Sequence, residues 1–171
     1  PTSVAAWLDT DEAGKTPALL SARAFAAVAM GGIEGAKRLV ALLPRMQRGL
    51  SNEELLVIAS APNVPRANDA LKTALAAPGT LRLLYDNRNR LPDHALLAPF
   101  LTDALRSLLA RDPSDANQDL LVKLAAGFHL TGLEDPLVAA ATTPAAGSDR
   151  RLAALRALRE SGSTRVDVFR R

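Results

Sequence analysis

The chain has 171 residues, a net charge of +3 and no cysteine, which excludes disulfide frameworks, cysteine-ligated zinc, iron–sulfur clusters and thiol nucleophiles. Two histidines are too few for a histidine metal cage, and six aromatic residues are too few for a stacking platform along single-stranded nucleic acid. Alanine (33 residues) and leucine (30 residues) dominate. No apolar run approaches the ~20 residues of a membrane span, so the expectation is an all-helical chain without membrane insertion.

In chain order, Trp7 and the acids Asp9, Asp11 and Glu12 precede Thr16-Pro17, which reads as a cap followed by the first helical residue, where proline needs no N–H. Gly31-Gly32 stops that helix. The run Gly31-Gly-Ile-Glu-Gly-Ala-Lys-Arg has the glycines of a phosphate-cradling loop, but it lacks the GK[ST] ending and a preceding strand. A helix–helix corner with glycine at positive φ explains it. Ile33, Ala36, Val40 and Leu43 then form one helical stripe. Ser51 with Glu54 makes a capping box ahead of Leu55, Leu56 and Ile58. Ala67, Ala70, Leu71, Ala74 and Leu75 form the next stripe, stopped by Pro78-Gly79.

Asp86-Asn-Arg-Asn-Arg90 is the most polar internal run, and Arg88 and Arg90 are candidates to hold a ligand or phosphate. Asp93 beside His94 is placed to orient the imidazole. Leu97, Leu101, Ala104, Leu105 and Leu108 run to a stop at Asp112-Pro113, and Leu120, Leu121, Leu124, Ala125 and Phe128 lead to His129, 35 residues after His94. Glu134-Asp135-Pro136 reads as cap then first helical position, and Asp149 as the cap of a helix beginning Arg150-Arg151-Leu152. Ser161-Gly-Ser163-Thr164 is a helix stop and not a nucleophile elbow, because no strand flanks it. The total is about ten helices of roughly 10–16 residues. The acidic clusters at Asp9/Asp11/Glu12, Glu53/Glu54 and Glu134/Asp135 fall at helix starts, where the dipole favours them without catalysis.

Helix pairs can be bracketed as starting near Thr16, Ser51, Gly79, Asp115 and Asp149, at intervals of 35, 28, 36 and 34 residues. A period in the thirties with two helices per unit points to an α-solenoid, because one amphipathic hairpin cannot bury its own apolar face and stacked hairpins can.

Asp149-Arg-Arg-Leu-Ala-Ala-Leu-Arg-Ala-Leu-Arg-Glu-Ser-Gly resembles a unit of the HEAT and HEAT-like families, as does Leu130-Thr-Gly-Leu-Glu-Asp-Pro-Leu-Val-Ala-Ala-Ala. Pro99 resembles the proline that kinks the first helix of many HEAT units, or else it begins a new helix. The units before Pro113 depart from the pattern, lacking the Asp-then-Arg pair at the inter-helix turn. The resemblance implies an all-α, right-handed α–α superhelix of four to five hairpins, with a concave face formed by the second helices. More loosely, the texture is similar to the helical-repeat regions of large secreted multidomain bacterial proteins, some of which carry propeller and cytochrome c domains. No haem-attachment motif is present here.

Residues 1–171 are therefore read as a single helical-repeat domain. The start at Pro1 and stop at Arg171 are read as a processed protein or a piece of a longer chain. The expected function is a non-enzymatic scaffold for a protein partner or for neighbouring domains, without a cofactor. Lys37, Lys72, Arg106 and Lys123 are its candidate surface charges. The alternative is nucleic-acid binding through the C-terminal region. Residues 149–171 carry seven Arg against three acids, a net of +4, while the rest of the chain nets −1. Arg150, Arg151 and Arg156 are the candidate contacts. On a helical wheel they surround the helix, and Arg156 can pair with Glu160 at i+4. Small HEAT-like DNA-repair glycosylases use aromatic residues in their cleft, whereas Trp7 is the only tryptophan here and lies at the far end.

Overall fold

A computed structural model of the chain describes residues 17–46, 48–144 and 146–163. Among these residues the fold is all-helical, with nine α-helices and no strand. They are α1 (Pro17–Met30), α2 (Gly32–Leu42), α3 (Asn52–Ala59), α4 (Ala67–Leu75), α5 (Pro78–Asp86), α6 (His94–Arg111), α7 (Asp115–Phe128), α8 (Glu134–Thr142) and α9 (Ser148–Glu160). Short 3₁₀ turns occupy Leu43–Arg45 and Arg88–Arg90. The five bracketed pair starts fall within one residue of the starts of α1, α3, α5, α7 and α9. No helix among the described residues is long and apolar enough to cross a membrane. The chain divides into two compact units between Ala74 and Leu75.

In the first unit α1, α2 and α3 pack on one another. Gly31, at φ +64°, makes the corner between α1 and α2, a backbone conformation that costs glycine nothing. The α1–α2 contact is built from small residues: Ala24, Ala27, Gly35 and Ala36 are all buried. The helices approach so closely that a Cβ on Gly35 would lie 2.4 Å from the Ala27 carbonyl oxygen. Leu39, Leu55, Leu56 and Ile58 complete this core.

The expected capping box opens α3. Ser51 Oγ accepts the Glu54 N–H at 3.4 Å, and the Glu54 carboxylate accepts the Ser51 N–H at 2.7 Å. Glu54 is buried, and the sequence pattern does not show why that is tolerated. Arg48 donates to both carboxylate oxygens, at 2.5 and 2.8 Å, in the fork geometry that best compensates a desolvated carboxylate. The Arg48 guanidinium, aided by the Ser51 N–H, holds the Glu54 carboxyl below its ordinary pKa against the opposing effect of burial.

In the second unit α5 packs on α7 and α7 on α9. α6 packs on α7, and α8 on α7 and α9. The core is leucine: Leu81, Leu84, Leu97, Leu105, Leu121 and Leu124 are each 1% exposed or less. α6 runs unbroken through Pro99, which therefore does not begin a new helix. At the α6–α7 turn, Asp112 Oδ1 accepts the Ser114 N–H at 3.1 Å. The buried Asn117 amide donates to the Asp112 carbonyl and to Asp112 Oδ2, at 2.9 and 2.8 Å.

α7 ends with His129 in the left-handed region at φ +52°, and the Leu130 N–H turns back to the Ala125 carbonyl at 3.0 Å. This is a Schellman ending, with Leu130 fully buried behind it. α9 closes the same way, with Gly162 at φ +71° and the Ser163 N–H on the Leu158 carbonyl at 3.1 Å.

Two helix starts differ from the sequence expectation. α9 begins at Ser148 with Gly147 at the cap position, so Asp149 sits inside the first turn and does not cap. α8 begins at Glu134, so Pro136 is its third residue, and Glu134 Oε1 reaches back to the Gly132 N–H at 3.2 Å. In both cases the acid still meets the positive end of the helix, which is the energetic content of the signal.

Candidate functional site

The five candidate arginines all lie in the second unit, and four of them are already engaged by the fold. Arg88, in the 3₁₀ turn after α5, donates to the Tyr85 carbonyl at 3.0 Å and lies 4.5 Å over the Tyr85 ring. Arg90 donates to Asn87 Oδ1 at 3.0 Å. Arg150 reaches from α9 to two carboxylates of α7, Asp115 at 2.8 Å and Asp119 at 2.5 Å. These two acids raise the Arg150 pKa above its ordinary value, Asp115 contributing most. Arg151, its sequence neighbour, turns the other way and donates to the Ala141 carbonyl at the end of α8, at 3.0 Å. Arg156 is exposed and forms no hydrogen bond or ion pair among the described residues, so the anticipated Arg156–Glu160 pair is not made there. Arg165, Arg170 and Arg171 of the basic tail, with Thr164, lie outside the described residues, as do Trp7, Asp9, Asp11, Glu12 and Thr16.

The histidines have structural surroundings. Asp93 does not orient His94: it caps α6, accepting the Leu96 N–H at 3.1 Å. His94 Nε2 is instead 2.9 Å from the Arg88 carbonyl, which can only accept, so Nε2 carries the hydrogen. Its ring lies 4.6 Å from that of Phe128, in a tilted contact. Gly127 makes room at this cluster, since a Cβ there would lie 3.1 Å from Tyr85 Cε2 and 3.3 Å from Arg88 Cδ. His129 is exposed at the end of α7. Among the described residues no group of three or more His, Asp or Glu side chains is placed to hold a metal ion.

Two further features are not visible in the motif reading. The first is a set of arginine braces from helix to turn: Arg106 on α6 donates to the Gly132 carbonyl at 2.5 Å, and Arg111 to the Ala76 carbonyl at 3.2 Å. Arg106, expected as a surface charge, is exposed and also braces this turn. The spacings from Asp119 and Asp115 to Arg150, 31 and 35 residues, are near one repeat period and were the available signal.

The second feature is a pair of open grooves. One, of about 340 Å³, lies between α5 and α7 and is lined by Arg82, Tyr85, Asp86, Asp119, Leu120 and Lys123 among others. The other, of about 370 Å³, lies between α7 and α9 and includes Asp119, Val122, Lys123, Asp149 and Arg150. Lys123 and Asp119 line both. Each groove carries acids and bases in equal number, so neither is a dedicated anion or cation site.

Comparison of the chain with protein-family models, with curated proteins and with solved structures found no match.

Proposed function

We propose that the chain is a non-enzymatic scaffold, a HEAT-like α–α superhelix of four to five hairpins that binds a protein partner or neighbouring domains of its own polypeptide. The observation that supports it most is the packing of α5 on α7 and of α7 on α9, the helices that the sequence brackets as opening successive pairs, with Arg150 of α9 paired to Asp115 and Asp119 of α7. Stacking of equivalent helices is how hairpins that cannot each bury an apolar face share one. Arg150 bridges α9 to α7 on the exposed side of this layer, and preorganisation lowers the entropy cost of binding.

The grooves on that side are open and of mixed charge, whereas small-molecule sites enclose most of their ligand in an apolar cavity. Such a surface suits many modest contacts with a polypeptide. Lys123, which lines both grooves, is the central residue of the proposed surface.

The test uses the full chain as bait at low and at high salt, with protein and nucleic acid scored separately, alongside the Lys123→Glu variant. A protein retained at high salt by the wild type and lost by the variant supports the scaffold. Nucleic acid that elutes with salt transfers the function to the arginine-rich C-terminal region. Capture of neither rules out a partner in trans.

A further inference from the structure

The groove between α5 and α7 balances two acids against two bases by number, but not by availability. Asp119 is held by Arg150 of α9 at 2.5 Å, so that carboxylate is already engaged. Arg82 and Lys123, one on each wall, are exposed and form no hydrogen bond or ion pair among the described residues. Tyr85 also lines the groove, and its hydroxyl donates to no group among the described residues. Arg88 adds a third positive charge, 4.5 Å over the Tyr85 ring, and its hydrogen bond goes to a carbonyl and not to a carboxylate. Against these stands one unengaged acid of the groove, Asp86. The groove therefore keeps a guanidinium, an ammonium and a phenol free for an incoming acceptor.

The surroundings decide which acceptor suits it. A nucleic-acid strand repeats its charge at every nucleotide, and one laid along the groove would meet Asp86 as well as Arg82 and Lys123. Tyr85 is half-buried with Arg88 over its ring, so it offers no open platform for a base. A polypeptide can set one carboxylate against Arg82 and Lys123 and an uncharged or basic residue beside Asp86.

We infer that the groove between α5 and α7 takes an aspartate or glutamate side chain of a polypeptide partner, held by Arg82, Lys123 and the Tyr85 hydroxyl. This rests on the reading of Lys123 as the centre of the scaffold surface, and it names the chemistry that surface recognises.

Tyr85 is the only tyrosine, so its ring signals in NMR spectra of the full chain report on the groove directly. The probe is a short Gly/Ser peptide, blocked at both ends and carrying a pair of glutamates, with counterparts carrying glutamines or lysines, all at low salt. The glutamate peptide should shift the Tyr85 signals saturably and bind about tenfold tighter than the glutamine peptide. Arg82→Gln and Lys123→Gln, both at exposed positions, should each weaken it about three- to fivefold. Asp86→Asn should instead tighten it about twofold. Arg159→Gln, at an exposed arginine of α9, should leave it unchanged. Equal binding of the glutamate and glutamine peptides overturns the proposal, as does a Tyr85 signal that no peptide moves. Binding indifferent to both Arg82→Gln and Lys123→Gln overturns it by placing the acid elsewhere, and a stronger response to oligothymidylate gives the groove to nucleic acid. The scaffold stands on protein capture by the full chain, so the two readings fail separately. A captured protein with a silent Tyr85 removes the acidic ligand alone, whereas a responsive Tyr85 with nothing captured supports that ligand and removes only the partner in trans.

Discussion

The two units use one Ala- and Leu-rich composition in different ways. In the first, α1 and α2 meet through Ala24, Ala27, Gly35 and Ala36, and the contact is backbone against helix. In the second, leucines fill the space between helices, and arginines reach across it to carbonyls and carboxylates. The difference sets what each can tolerate. A contact made by backbone atoms cannot yield to an added methyl without moving a helix, whereas a contact made by side chains can yield by rotation.

Glycine-to-alanine substitutions test this contrast most sharply. Gly35→Ala places a Cβ 2.4 Å from the Ala27 carbonyl oxygen, so α1 and α2 must separate. The expected loss is about 3 kcal/mol in urea denaturation followed by circular dichroism. Gly127→Ala meets only Tyr85 and Arg88 side-chain atoms, at 3.1 and 3.3 Å. There the gain of about 1 kcal/mol in helix propensity offsets the crowding, and stability should stay within about 1 kcal/mol of wild type. Equal losses at the two positions would erase the distinction between the units.

A smaller effect follows from how each unit anchors its charges. Glu54→Gln removes the buried carboxylate from Arg48 and weakens the box on Ser51, at an expected cost of about 1–2 kcal/mol near pH 7. The Glu54 carboxyl has a depressed pKa in the folded state, so its contribution is fully present above the unfolded value of about 4.3. It is lost as pH falls through the lower folded value. The gap between wild type and variant should therefore narrow in acid, and a gap independent of pH would remove the ion pair from the explanation. Arg150→Met, which keeps the aliphatic stem over α7, should cost only about 0.5–1 kcal/mol. That loss should diminish in high salt, because Asp115 and Asp119 are both substantially exposed.

The smallest expected change is a gain. α7 and α9 each close with an N–H, Leu130 or Ser163, on the carbonyl five residues back, but the left-handed residue is His129 in one and Gly162 in the other. His129→Gly should relieve backbone strain and raise stability by about 0.5 kcal/mol, part of the relief being returned as chain entropy. A loss measured by thermal denaturation would instead assign the imidazole a contact of its own.

The helix starts at 17, 52, 78, 115 and 148 were legible to within a residue because caps, prolines and glycines act locally. Individual capping roles were less legible. Asp149 and Glu134 satisfy the helix dipole equally well from inside the first turn, so a one-residue shift costs little. Arg88 and Arg90 stand out in a polar run and Arg150, Arg151 and Arg156 in a basic region, but sequence offers no way to see that Arg150 and Arg151, adjacent in the chain, point to α7 and to α8.

The sequence by itself determined an all-helical chain, the starts of five of its helices, the Ser51–Glu54 cap and the Gly31 corner, because each depends on residues a few positions apart. Only the tertiary structure decided that Glu54 is buried under Arg48, that Gly35 and Gly127 are points of close approach, and that four of the five candidate arginines are hydrogen-bonded within the chain. Arg150 meets Asp119 and Asp115 across 31 and 35 residues of chain, the other outcomes depend on burial and packing, and the hydrophobic drive that brings surfaces together has no direction a local pattern can encode.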